Sequence, residues 1–209
     1  MRNVSSLFSE KYLHQTYSYA EYLALMNQVV AEQRTTGPKQ TPELAEYTRL
    51  NQYRMNRLNK TVVLSQELQQ LIYQIEAPQT WYLLTEAWCG DAAQSAPVIA
   101  KVAAMNPHLT LRLLLRDEHP EIMDAYLTHG GRSIPKLIAL DTDGNELFSW
   151  GPRPVALQEI MLEYKKNPTV PYKEFAEEVQ RWYNADKTQT IQYELAELLK
   201  VIFVKSDVK

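Results

Sequence analysis

The segment Lys136 to Trp150 limits the folds open to this chain more than any other. Two short apolar runs of strand length, Lys136–Leu140 and Glu146–Trp150, flank the turn sequence Asp141-Thr142-Asp143-Gly144. So short a connection forces an antiparallel hairpin. Upstream the spacing differs. Residues 81–85 and Leu109–Leu115 are strand-like, and a helix-length stretch, 92–105, separates them before Asn106-Pro107 ends it. A second helical stretch, 120–128, ends at Gly130-Gly131, and a third, 154–164, follows the hairpin. The order is β-α-β-α-β-β-α. Helical crossovers favour parallel strands, so the first three strands are expected parallel and the last pair antiparallel. The fold class is α/β, a mixed central sheet with helices on its faces.

The first 78 residues read differently. Tyr19, Tyr22, Leu23, Met26, Val29 and Val30 recur at helical spacing, and Gly37-Pro38 stops the run. Thr41-Pro42 is an N-cap followed by proline at the first helical position. Leu44, Tyr47, Leu50 and Leu58 continue as a second stripe, and Leu64, Leu68, Leu71, Ile72 and Ile75 as a third. After residue 168, Phe175, Val179, Trp182 and Tyr183 mark one helical face, and Leu195, Leu198, Leu199 and Ile202 another. The chain therefore divides into a helical extension (1–78), an α/β domain (79–168) and a C-terminal helical segment (169–209).

Composition narrows the function classes. The formal net charge of −3 comes with no basic block of the kind nucleic acid requires. No apolar run approaches the roughly 18 residues of a membrane span. Residues 1–14 contain no signal-peptide pattern, so the expected compartment is the cytosol. His14, His108, His119 and His129 lack metal-ligand spacing, and no metal is expected. Asp141-Thr142-Asp143-Gly144 resembles half a calcium loop but lacks its third acid and distant glutamate, which leaves a turn.

One cysteine, Cys89, carries whatever sulfur chemistry the chain performs. No internal disulfide is possible, so a second molecule must supply the other sulfur.

Several short matches around this residue point to a known fold. Trp88-Cys89-Gly90 stands between the first strand and the first helix. Pro97 follows Cys89 by eight residues, Ile134-Pro135 opens the third strand, Asp143-Gly144 sits in the hairpin, and Gly151 follows the fourth strand. In this order over residues 80–166 they resemble the thioredoxin family. The whole chain resembles a group of uncharacterised bacterial thioredoxin-like proteins, in which a helical segment precedes Trp-Cys-Gly-Asp and Gly130-Gly131-Arg132-Ser133-Ile134-Pro135 recurs.

The resemblance implies a nucleophile, Cys89, at a helix N-terminus beside a cis Pro135. The Ile134 backbone would then pair with an extended substrate. Trp88, Gly90, Asp91, Arg132, Ser133, Ile134 and Pro135 would form the substrate-binding patch. The departures are as informative. Ala92 stands where the family has its second cysteine, Asp91 replaces the intervening proline, and Leu83 replaces a buried acid of the first strand. A two-cysteine cycle is therefore closed to this chain.

The remaining chemistry is monothiol exchange. Cys89 would attack a mixed disulfide, release the protein thiol, and hold a small thiol until a second one frees it. That implies a low-molecular-weight thiol as co-substrate, no other cofactor, and a thiol- or disulfide-bearing partner. The helix dipole favours the thiolate, Glu86 and Asp91 oppose it, and Arg132 is a candidate to lie across the site and support it. Two alternatives stand beside this reading: a redox-inactive peptide- or protein-binding module, and a transferase joining a small thiol to an electrophile. The run Arg49, Arg54, Arg57, Lys60 is either a solvated helix face or an anion site leaning over Cys89. Tyr17, Tyr19, Tyr22, Trp182 and Tyr183 read as packing. Peroxiredoxin chemistry would need threonine where Glu86 stands.

Overall fold

The computed structural model describes residues 2–206, with the side chains of the last two left aside. Among the described residues, eight α-helices and four strands follow one another as α1 (Tyr19–Ala31), α2 (Pro42–Thr61), α3 (Gln66–Tyr73), β1 (Gln79–Thr85), α4 (Gly90–Ala104), β2 (Leu109–Leu115), α5 (Pro120–Asp124), β3 (Lys136–Leu140), β4 (Glu146–Trp150), α6 (Val155–Lys166), α7 (Tyr172–Asp186) and α8 (Gln189–Ser206).

The helix starts are written in the sequence. Ser18 and Glu21 form a reciprocal capping box at α1. Thr41 accepts from the Leu44 N–H ahead of Pro42 at α2, and Ser65 caps α3 through Leu68.

The sheet order is β2-β1-β3-β4. β1 and β2 are parallel. β3 is antiparallel to both β1 and β4, which corrects the expectation of three parallel strands. The reason is length. α5 has five residues, about 7.5 Å of helix at 1.5 Å per residue, whereas a seven-residue strand runs about 23 Å. The connection never returns along the sheet, so β3 starts where β2 ends and runs back, with Lys136 opposite Leu84. The helical stretch expected over 120–128 stops at Asp124 because Thr128 and Gly131 pair through their backbones in a turn.

Strand parity separates the two faces. Trp81, Leu83, Leu113, Leu137 and Ala139 point to one side, where Tyr22, Met26, Met55, Leu68, Ile72, Ile99, Leu195 and Leu199 bury them. Leu84, Leu114, Ile138 and Leu140 point to the other, against Val4, Ile122, Met123 and Tyr126. Residues before 79 and after 168 thus share a core with the sheet. A third cluster joins α6 to α7, with Leu157 and Met161 against Phe175 and Val179 and Tyr164 stacked on Phe175.

The N-terminal segment braces both ends of the sheet. Tyr17 exchanges backbone bonds with Leu113 on the outer edge of β2, and Arg2 and Val4 bond to Glu146 and Gly144 at the hairpin. Gly144 has φ +77°, and a Cβ there would lie 2.5 Å from the Ser5 side chain, so the turn needs glycine. No helix among the described residues is long and apolar enough to cross a membrane.

Candidate functional site

β1 ends in a loop that delivers Glu86, Ala87, Trp88 and Cys89 to the start of α4. Cys89 is the N-cap residue of that helix: its Sγ accepts from the Ala92 N–H at 3.4 Å. On its other side Sγ donates to the Ile134 carbonyl at 3.3 Å. The Ile134–Pro135 peptide bond is cis, and the Ile134 carbonyl lies against the sulfur. Gly151 closes the arrangement from behind. Its φ is +108°, and a Cβ there would lie 2.3 Å from the Pro135 carbonyl oxygen.

Cys89 is only 6% exposed. Burial, then the neighbouring Asp91 charge, push its thiol up to about 12, against the opposing pull of the Ala92 N–H and Arg153. At neutral pH the sulfur is a neutral thiol.

Asp91 sits on the first turn of α4 and is almost enclosed. Arg153 reaches it through Nη2 at 2.5 Å and Nε at 3.2 Å, and Tyr183 donates its hydroxyl at 2.8 Å. The ion pair retains 9% and 13% side-chain exposure. Burial works against the Arg153 charge, yet Asp91 holds its pKa above the ordinary guanidinium value. Burial and Asp91 together raise the Tyr183 phenol well above its usual range. Neither Arg153 nor Tyr183 stood out as a site residue in the sequence. Tyr183 read as packing, and its ring does pack, but its hydroxyl belongs to Asp91.

Two other expected charges lie elsewhere. Arg132 is held by Asp124 in an exposed bidentate pair, and the cation acting on Cys89 is Arg153 instead. Glu86 is buried, accepting from Thr36 and from the Asp117 N–H. Burial lifts its carboxyl to about 6.

A cavity of about 620 Å³ opens above Cys89. Trp88, Cys89, Gly90, Asp91, Arg132, Ser133 and Ile134 all line it, whereas Pro135 lies behind Ile134 and does not. Its walls are α2, through Leu44, Tyr47, Leu50 and Arg54, and α7, through Tyr172, Val179 and Gln180. Arg57 donates to Asn184 and Gln94 donates to Gln180, tying α2 to α7 and α7 to α4. Gly90 leaves room for this roof, since a Cβ would lie 3.1 Å from Gln180 Nε2 and 3.7 Å from Arg54 Nη1. Trp88 carries Arg116 over its ring at 4.8 Å. Of the basic run on α2, Arg49 pairs outward with Glu46 and Arg54 faces the cavity. No group of three or more metal-ligating side chains occurs among the described residues.

A cysteine capping the helix after β1, set against the X-Pro bond that opens β3 in a β2-β1-β3-β4 sheet, is the layout of a thioredoxin-fold protein. The chain belongs to the thioredoxin family: a family profile described as Thioredoxin matches residues 37–168.

Among solved structures, the chain is similar to a protein of unknown function, PA1234, from Pseudomonas aeruginosa. The TM-score is 0.56 at 15% identity, covering 88% of this chain and 98% of that one. An HIV epitope-scaffold protein is similar with a TM-score of 0.55, the same identity and the same coverage. At this identity the likeness concerns the fold alone. No curated protein matches.

Proposed function

We propose that this chain is a thioredoxin-fold binding module in which Cys89 rests as a neutral thiol on the floor of a ligand cleft. The state of Cys89 carries the reading. The sulfur is enclosed, its S–H is donated to Ile134, and Asp91 beside it opposes ionisation. A thiol attacks as its thiolate, and a group with a pKa near 12 supplies almost none at neutral pH. The cleft itself is of ligand-binding size.

One observation favours the second reading, monothiol exchange. The sulfur lies at the mouth of α4 with an N–H already directed at it, where a bound substrate could draw the proton away. In that step Cys89 sulfur bonds to the small-thiol sulfur of a mixed disulfide, and the protein thiolate leaves and takes up a proton. A second small thiolate then forms a small-molecule disulfide and regenerates Cys89.

The rate of iodoacetamide labelling against pH separates the two, with Cys89→Ala as the blank. The binding-module reading expects negligible labelling at pH 7 and an apparent pKa far above the ~8.5 of free cysteine. Full reactivity at pH 7 with an apparent pKa near ~6, well below the free value, would replace it with exchange.

A further inference from the structure

The charge inside the cleft is at odds with the charge of the whole. The chain is net negative, yet six cationic side chains line the cavity (Arg54, Arg116, Arg132, Arg153, Lys173 and Arg181) against two carboxylates, Asp91 and Glu177. Four of the six have acid partners. Arg153 is held by Asp91, Arg132 by Asp124 and Arg116 by Asp117, while Arg181 lies 4.0 Å from Glu177 and 3.9 Å from Glu178. Among the described residues, Arg54 and Lys173 have no carboxylate partner.

Arg54 is the more telling of the two. It is half-buried on α2, and Nη1 donates to Asn51 Oδ1 at 2.7 Å. Asn51 is itself fixed through the Ala87 carbonyl at 2.9 Å. The guanidinium is therefore braced near Gly90, on the wall of the cavity that Cys89 also lines. Burial lowers its pKa and Arg57 adds to the shift, with Tyr47 opposing and, among the described residues, no carboxylate in contact. The surrounding wall is apolar: Leu44, Tyr47, Leu50, Trp88, Met161 and Val179.

We infer that the cleft takes a small organic anion with an apolar body, its anionic head on Arg54 and its body against the α2 and α7 walls. This rests on the cleft-binding reading above and adds the class of ligand. A braced guanidinium presents paired donors to a carboxylate or phosphate, and an apolar wall with few placed polar groups is how small-molecule sites recognise a body. Lys173, exposed on the first turn of α7, adds attraction at the rim.

Two fluorescent probes with the same aromatic body isolate the anion. Anilinonaphthalene sulfonate carries one, and phenylnaphthylamine does not. Both are titrated into the full chain at fixed salt, beside Arg54→Gln, Arg49→Gln and Ala176→Trp. Arg49 removes the same charge from the same helix outside the cavity, and Ala176→Trp fills the cavity. The expected result is one-to-one binding of the sulfonate that Arg54→Gln weakens by about tenfold or more, the scale of one charge-assisted bond. Arg49→Gln leaves it unchanged, and phenylnaphthylamine binds Arg54→Gln and the parent chain alike. Octanoate or octyl phosphate then displaces the sulfonate where octanol does not, and whichever displaces it identifies the head group.

Equal loss in Arg49→Gln and Arg54→Gln, or displacement by octanol as strong as by the anions, overturns the anion inference. If phenylnaphthylamine still binds and Ala176→Trp abolishes it, the cleft reading survives that failure. If neither probe binds, or Ala176→Trp leaves binding intact, both fall together.

Discussion

Replacing Asp91 by Asn tests the central ion pair and the state of Cys89 at once. Asn has nearly the same shape, and its oxygen still accepts from Arg153. Its amide can donate to Tyr183, whose hydroxyl rotates to accept. What disappears is the charge opposite a guanidinium that is 9% exposed. Breaking one side of a buried pair costs about 3–5 kcal/mol, because the remaining charge stays buried without compensation.

The molecule contains its own reference. Arg132 and Asp124 make a bidentate pair at 2.6 Å, but with side chains 53% and 49% exposed. Exposed pairs contribute about 0–1 kcal/mol, so Asp124→Asn is expected to cost less than about 1. Urea unfolding with linear extrapolation measures both variants. Because the Asp91 charge raises the Cys89 pKa, Asp91→Asn is also expected to label faster with iodoacetamide at pH 9. A cost for Asp91→Asn no larger than for Asp124→Asn would refute the burial argument. Unchanged labelling would refute the electrostatic link to Cys89.

Glu86 gives a pH signature. Its folded pKa of about 6 lies above the ordinary 4.5, so the folded state binds the proton more tightly. The resulting stabilisation is full below the unfolded value and lost as pH rises through about 6, a swing of about 2 kcal/mol. The unfolding free energy of the parent chain minus that of Glu86→Gln should therefore shift by about 2 kcal/mol in the parent's favour between pH 7.5 and pH 4, and a flat difference would remove the assignment. Gly151→Ala places a Cβ against the Pro135 carbonyl oxygen at a φ of +108°. It should cost more than about 2 kcal/mol in the same unfolding assay, and a cost under about 0.5 kcal/mol, the ordinary range for a surface change, would show the contact to be soft.

What the sequence revealed about the fold is mostly local. The hairpin strands lie at Lys136–Leu140 and Glu146–Trp150 as their composition suggests, and Thr41-Pro42 opens α2. The direction of β3 is not legible in the sequence, because helical periodicity reports that a helix exists, not whether it is long enough to cross the sheet. The matches around Cys89 brought Trp88, Gly90, Asp91 and Ile134 to one cavity. The groups that set its electrostatics come from far along the chain. Asp91 meets Arg153 across 62 positions and Tyr183 across 92, and no spacing rule links them. Tyr183 shows the limit well: its place on the apolar stripe of α7 announces the ring, while the hydroxyl at the ring's tip answers to a partner the stripe does not contain. Arg132 failed for the converse reason. Nearness in sequence to Pro135 suggests a role at the sulfur, but Asp124, eight positions back, holds its guanidinium.

The roof over Cys89 is made of two helices, one from before the sheet and one from after it, with Arg57 on α2 donating to Asn184 on α7. The start of α4 and the loop before β3 furnish the floor, and the jaws come from either end of the chain. Selection could therefore retune what enters the cleft by changing exposed wall positions such as Tyr172 and Lys173 without touching a strand. The same arrangement warns against dissection: a fragment trimmed to residues 79–168 would keep the thiol and lose both jaws, presenting an open surface where the intact chain has a cavity.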